Sequence, residues 1–300
     1  MSDPDEYDLF LQNWEPGELL RYSTLPQNLN DPVVRTRLFE DSAGNAPVER
    51  AKFSVGKKAM AADELSARAY EFFQDHKENW AAEFRDYVLS KDVPVEKLDA
   101  FVTSFAQSWV DGMARRQSSP EMRAIKASIR DYDLLCHPTH AGRFVIKSVD
   151  DSVPPLLSPR EMAVIFEANR GLLDSFMPDY IDHLGSDGPS ALDEIYVRRG
   201  VYMPTLDSVR RELHYLSSYS LTLGPVEQFA QTWNSATRGT GTPVIFSAPM
   251  SAIQDRVVAF APFIENMDIG QLEFVLAPPV EETPLRQDGM HGGIRELSFQ

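Results

Sequence analysis

The chain has 300 residues, 43% of them hydrophobic, enough for one large domain or two ordinary ones. Its formal charge of −16 disfavours a nucleic-acid partner, because contact with phosphates normally needs a basic surface. No apolar run approaches the roughly 18 to 20 residues of a membrane span, and a single cysteine, Cys136, excludes an internal disulfide and fits a reducing compartment at the site of action.

The opening stretch, MSDPDEYDLFLQNWEPGELL, is acidic and lacks the basic-then-apolar order of a Sec-type signal peptide. A cytoplasmic location is expected, with a receptor-read secretion signal left open. Residues 1–60 are rich in Pro, Asn and Asp and predict short helices and loops. Residues 61–90 carry Leu65, Ala69, Phe72, Phe73, Trp80, Phe84, Tyr87 and Val88 at helical spacing. A second helix is expected from about Pro94 to Arg116. Its stripe is Leu98, Phe101, Val102, Phe105, Trp109, Val110 and Met113, and these aromatics read as core. A third begins at SSPEMRAIKASIRDYDLL, with a serine cap and Pro120 near its first position.

LLCHPTHAG brings Cys136, His137 and His140 close together, but no second Cys or His pair complements them, so no metal site is expected. The last lysine is Lys147. A GC-rich genome explains that. A protein acting inside another cell, and avoiding lysines as modification targets, is the alternative. KSVDDSVPPLLSPRE, residues 147–161, marks a boundary and ends with Ser158-Pro159 opening another helix. Residues 1–150 are therefore expected to form a mostly helical domain for targeting, chaperone docking or partner binding.

After the boundary, one or two helices cover roughly 159–185. Strand-like runs follow at 194–203, 215–223, 242–250, 255–263, 270–279 and 292–299, with a helix, PVEQFAQTW, between the second and third. His291, just before the last run, reads as part of a turn. A helical block followed by short strands predicts an α+β fold with antiparallel sheets.

Three of these runs carry chemistry-bearing residues. In EIYVRRGVYM, alternation puts Arg199 on the face of Ile195, Val197 and Val201. An arginine on an apolar face is costly unless it meets an anion. Gly200 after it would let a ligand approach the backbone closely. The competing reading is an arginine on an exposed edge strand. LSSYSLTLGPVEQFA places hydroxyls at 217, 218 and 220 before a helix, where serines are usually caps and turns. In GQLEFVLAPP, Gln271 and Glu273 project from one side of a strand whose other side is Leu272, Phe274 and Leu276. Taken alone, they are solvent-facing polars.

In this order, Arg199-Gly200, Ser218-Tyr219-Ser220 and Gln271-x-Glu273 resemble the arginine–serine–glutamate class of mono-ADP-ribosyltransferases, as found in bacterial toxins and effectors. GQLEFVLAPP is similar to the corresponding strand of the clostridial Rho-modifying exoenzymes. The resemblance covers about 155–300. It departs from the family in having Ser-Tyr-Ser for Ser-Thr-Ser and Arg198 where an aromatic is common. It implies that residues 151–300 form an ADP-ribosyltransferase-like catalytic domain of two antiparallel-rich sheets with flanking helices. It implies NAD as substrate and a target protein as acceptor, in a bacterial toxin or an effector secreted or translocated into a target cell, with a secretion chaperone as a further possible partner. Glu273 would stabilise the developing ribosyl cation and Ser218 would hold Glu273. Arg199 would bind the pyrophosphate or ribose, and the Gly200 backbone the nicotinamide amide. Arg238, in the Gly-rich loop NSATRGTGTPVIF, would contact the phosphate–nicotinamide portion; a solvated loop arginine is the alternative. Gln271 would face the acceptor and disfavours arginine as that acceptor. Phe263 or Met267, in the preceding loop, would touch the target unless they pack inward. The alternative function is a catalytically inactive interaction protein of the same fold.

Overall fold

The computed structural model describes residues 62–109, 119–136, 152–185, 189, 191–203, 216–231, 242–277, 286–291 and 294–298. The elements expected in residues 1–60 lie outside them. So do Arg238, His137 and His140. The fold is α+β.

Helix α1 (Ala62–Ser90) buries the stripe its spacing predicts, including Phe72, Phe73, Trp80, Phe84 and Val88. Helix α2 (Val95–Ser104) follows Pro94 and buries Leu98 and Phe101. It passes into a π-helical turn, Phe105–Trp109, instead of continuing as α-helix. Helix α3 (Pro120–Cys136) is capped by the Ser119 hydroxyl, which accepts from the Met122 N–H at 3.2 Å. Helix α4 (Pro159–Leu184) opens with a capping box. The Ser158 hydroxyl accepts from the Glu161 N–H at 3.3 Å, and the Glu161 carboxylate accepts from the Ser158 N–H at 2.7 Å. The helix runs unbroken through Pro178, with Phe176, Met177 and Tyr180 buried on either side. Its C-terminus is marked by Gly185 at φ 77°, a left-handed position suited to glycine. No helix among the described residues is long and apolar enough to cross a membrane.

Among the described residues, seven strands form one mixed sheet: β1 (Tyr196–Met203), β2 (Ser217–Ser220), β3 (Thr242–Pro249), β4 (Val257–Phe260), β5 (Glu273–Leu276), β6 (Arg286–His291) and β7 (Ile294–Ser298). Their order is β4-β5-β2-β1-β3-β7-β6, antiparallel except for β3 beside β7. The resemblance implies two sheets, and the described strands form one. The difference is one point of attachment: β1 and β2 pair only at Arg198 opposite Ser220, whereas β1 and β3 pair along their whole length. His291 ends strand β6 and pairs with Ile294, the first residue of β7, where the chain reverses. Arg286, Gln287, Asp288 and Gly289 show no apolar alternation, so periodicity does not reveal this strand; pairing with β7 makes it.

The helices before residue 150 and the sheet share one hydrophobic core, which runs from Ala69 to Leu297. Phe73 of α1 meets Phe260 of β4 with ring centroids 5.1 Å apart, and Phe260 stacks on Phe274 of β5 at 3.9 Å. Asn169 of α4 bonds the Val258 carbonyl at 3.0 Å, which ties that helix to β4. Phe263 and Met267 pack inward: Phe263 lies among Trp80, Phe176 and Phe260. They are therefore not surface contacts for a target. A smaller cluster of Leu223, Val226, Ala230, Ile245 and Ile294 seats helix α5 (Leu223–Gln231) on the sheet.

Candidate functional site

The site follows from the way β1 and β2 diverge. Continuing their antiparallel register past Arg198–Ser220 would set Gly200 opposite Ser218. The strands separate instead, and a cavity of about 240 Å³ opens where that pairing would be. Arg199, Gly200, Ser218, Gln271 and Glu273 all line it. So do Trp109 from the π-helical turn and Pro225, Val226 and Phe229 from α5.

Strand β1 is flanked by β2 and β3, so Arg199 is not on an edge strand. Alternation puts it beside the buried Val197, as expected, and puts Arg198 on the other face. The Arg199 guanidinium turns toward β2 and donates to the Ser218 carbonyl at 3.3 Å. Arg198 is almost fully buried, and its Nε meets a Glu296 carboxylate oxygen at 3.2 Å. That pair crosses over β3, so it ties the β1 edge of the cavity to β7.

Gly200 is required by packing. A Cβ there would lie 1.7 Å from the Val226 carbonyl oxygen and 2.6 Å from the Ala230 nitrogen. The backbone of α5 fills the space above its Cα, so a ligand can reach Gly200 only from the edge facing β2.

Glu273 opens β5 and stands opposite Ser220, with Ser218 opposite Val275. Its carboxyl takes a hydrogen bond from Trp109, whose indole N–H lies 2.9 Å from Glu273 Oε1 and 2.8 Å from Ser218 Oγ. Burial pushes the Glu273 carboxyl above the ordinary glutamate value, against the pull of Ser218, Trp109 and the Arg199 charge; the Asp268 charge adds to the rise. The result is a half-buried carboxyl whose charged form burial and Asp268 disfavour and Ser218, Trp109 and Arg199 favour.

Gln271 and Glu273 share the cavity, but not as alternate residues of one strand. Strand β5 begins at Glu273, and Leu272 between them has φ 42°. That left-handed conformation costs a non-glycine residue about 1–3 kcal/mol and persists only where the surroundings hold it. Here the Leu272 side chain is fully buried, and its N–H donates to the Ile269 carbonyl at 2.9 Å. The Ser220 hydroxyl donates to the Gln271 carbonyl and accepts from the Thr222 N–H at 2.9 Å. A strained, tightly tied turn thus sets Gln271 at the cavity beside Glu273.

Trp109 and Arg198 are the residues that sequence reasoning missed. Trp109 belongs to a stripe of aromatics, and its indole N–H is the one feature that separates it from Phe101 and Phe105: a buried tryptophan needs an acceptor. Among the described residues, no group of His, Cys, Asp and Glu could hold a metal ion. No family model matches the chain, and no curated protein and no solved structure does either.

Proposed function

We propose that this protein is a mono-ADP-ribosyltransferase that moves ADP-ribose from NAD to a protein side chain other than arginine, as a bacterial toxin or effector. The observation that carries the reading is the convergence of Arg199, Ser218, Gln271 and Glu273, from three separate segments, on one cavity. Solvated surface polars have no reason to converge. At about 240 Å³ the cavity falls below the ~300–1,000 Å³ usual for a drug-sized ligand, a size for one end of a dinucleotide.

The reaction breaks the bond between the nicotinamide nitrogen and the ribose. The electron pair leaves with nicotinamide, and the ribose becomes oxocarbenium-like, as in glycoside hydrolysis. Glu273 would accept a hydrogen bond from a ribose hydroxyl and set its negative charge beside the growing positive one. Arg199 would hold phosphate or ribose oxygens with its planar fork of donors. The acceptor then adds to the ribose carbon and gives its proton to solvent or a neighbouring base. Gln271 would meet that acceptor: an amide pairs with another amide, whereas a second carboxylate would suit a guanidinium. The target would also meet Glu265, Asn266 and Asp268, which are exposed on the preceding turn.

Purified protein incubated with NAD is expected to release nicotinamide, and a lysate given tagged NAD is expected to contain a labelled protein. Glu273→Gln should abolish both. If the wild type does neither, the enzyme reading goes, and an inactive interaction protein of this fold takes its place.

A further inference from the structure

Among the described residues, the helical half reaches the candidate site through one side chain. Trp109 ends the π-helical turn after α2, far in sequence from the strands that line the cavity. Only 2% of it is exposed, and its single N–H is shared between Ser218 Oγ at 2.8 Å and Glu273 Oε1 at 2.9 Å. π-helical turns are uncommon and often occur at functional sites. Here the turn ends on the one aromatic of its stripe that carries a buried donor to a carboxylate. Packing alone would be met by phenylalanine, as it is at Phe101 and Phe105.

We infer that Trp109 is a positioning residue: its indole N–H holds the Glu273 carboxylate and the Ser218 hydroxyl in one arrangement, so the helical half completes the site. This rests on the transferase reading for its catalytic consequence but not for the contact itself. A bond from a neutral donor to a half-buried carboxylate favours the charged form and restricts its rotamers. The other groups facing the carboxylate are Ser218 from β2, Arg199 from β1 and Asp268 from the turn before β5. Arg198 also lines the cavity, and the Lys126 ammonium of α3 lies 6.0 Å from the indole ring. Removing the indole N–H leaves all of these in place, so a change after that removal reports on Trp109.

The test uses the full chain and two readouts. In the first, the Trp109 indole N–H resonance, assigned by its absence from Trp109→Phe, is followed against pH by nitrogen-15 NMR. It should move with a midpoint above the ordinary glutamate range, and Glu273→Gln should abolish the movement. A resonance that does not titrate, or titrates equally in Glu273→Gln, overturns the inference. The second readout is nicotinamide release. Trp109→Phe should lower kcat at neutral pH about tenfold or more and leave the KM for NAD within about twofold. It should also shift the acid limb of the pH profile upward by about one pH unit, with activity recovering as pH rises. A purely structural role predicts a loss that pH does not rescue, and an unchanged profile sinks the positioning role. If the wild type releases no nicotinamide, the transferase reading falls, and the indole titration alone decides whether Trp109 holds Glu273.

Discussion

Gly200 of β1 and Val226 of α5 approach so closely that a Cβ on the glycine would lie 1.7 Å from the valine carbonyl oxygen. The helix therefore rests on the strand by its backbone, and this sets Pro225, Val226 and Phe229 at the cavity. Gly200→Ala cannot be absorbed by a side-chain rotation, because the atoms it meets are main-chain. The helix must lift or the strand must bend. The expected cost is at or above the upper end of the ~1–3 kcal/mol usual for overpacking, read as a lower urea midpoint with an unchanged m-value.

Glu273→Gln separates function from stability. Burial raises the Glu273 carboxyl above its ordinary value, so the folded state binds this proton more tightly than the unfolded state. Stability from this group therefore falls as pH rises from the ordinary glutamate value through the raised one. Glutamine removes that dependence. The variant is expected to lose nicotinamide release and to be at least as stable as wild type at neutral pH, with the difference shrinking as pH is lowered. Melting temperatures from pH 4 to 8 check it.

The Arg198–Glu296 pair lies in the sheet at 1% and 0% side-chain exposure. Glu296→Ala takes the carboxylate from a buried guanidinium and is expected to cost about 3–5 kcal/mol. Replacing both partners by apolar residues, as in Arg198→Met with Glu296→Leu, should recover most of that loss. Urea unfolding of the single and double variants tests this.

The fragment 151–300 is expected not to fold as a soluble domain. It would expose the surface on which Phe73 meets Phe260 and Trp80 meets Phe176, at ring-centroid distances of 5.1 and 4.7 Å. A dispersed amide NMR spectrum from that fragment would contradict this.

Gln271→Glu is expected to leave nicotinamide release within a few-fold of wild type while changing transfer. Labelling of the native target should fall, and labelling of arginine-rich acceptors should rise. Mass spectrometry of labelled lysate proteins reads both.

How much of this was legible beforehand differs by residue. Leu98, Phe101, Val197 and Phe274 declare themselves, because periods of 3.6 and 2 are local and burial follows them. The α+β class and most strand positions come from the same signal. Strand β6 escaped it because its residues are mostly polar, with no apolar alternation, and its partner supplies the structure. Alternation alone puts Gln271 and Glu273 on one strand face. They share a cavity only because Leu272 takes φ 42° between them, and alternation has no means of reporting that.

The sequence by itself determined the order of the described helices and of every described strand but β6, and the residue types that could do chemistry: Arg199, Ser218, Gln271 and Glu273. Tertiary structure alone decided that they meet. It also decided why Gly200 must be glycine, which of two adjacent arginines is locked to Glu296, and that Trp109 donates to a carboxylate 164 residues away. The physical reason is range. Propensity and periodicity act over one or two turns of chain, whereas a buried donor is satisfied by whatever acceptor the folded core brings to it.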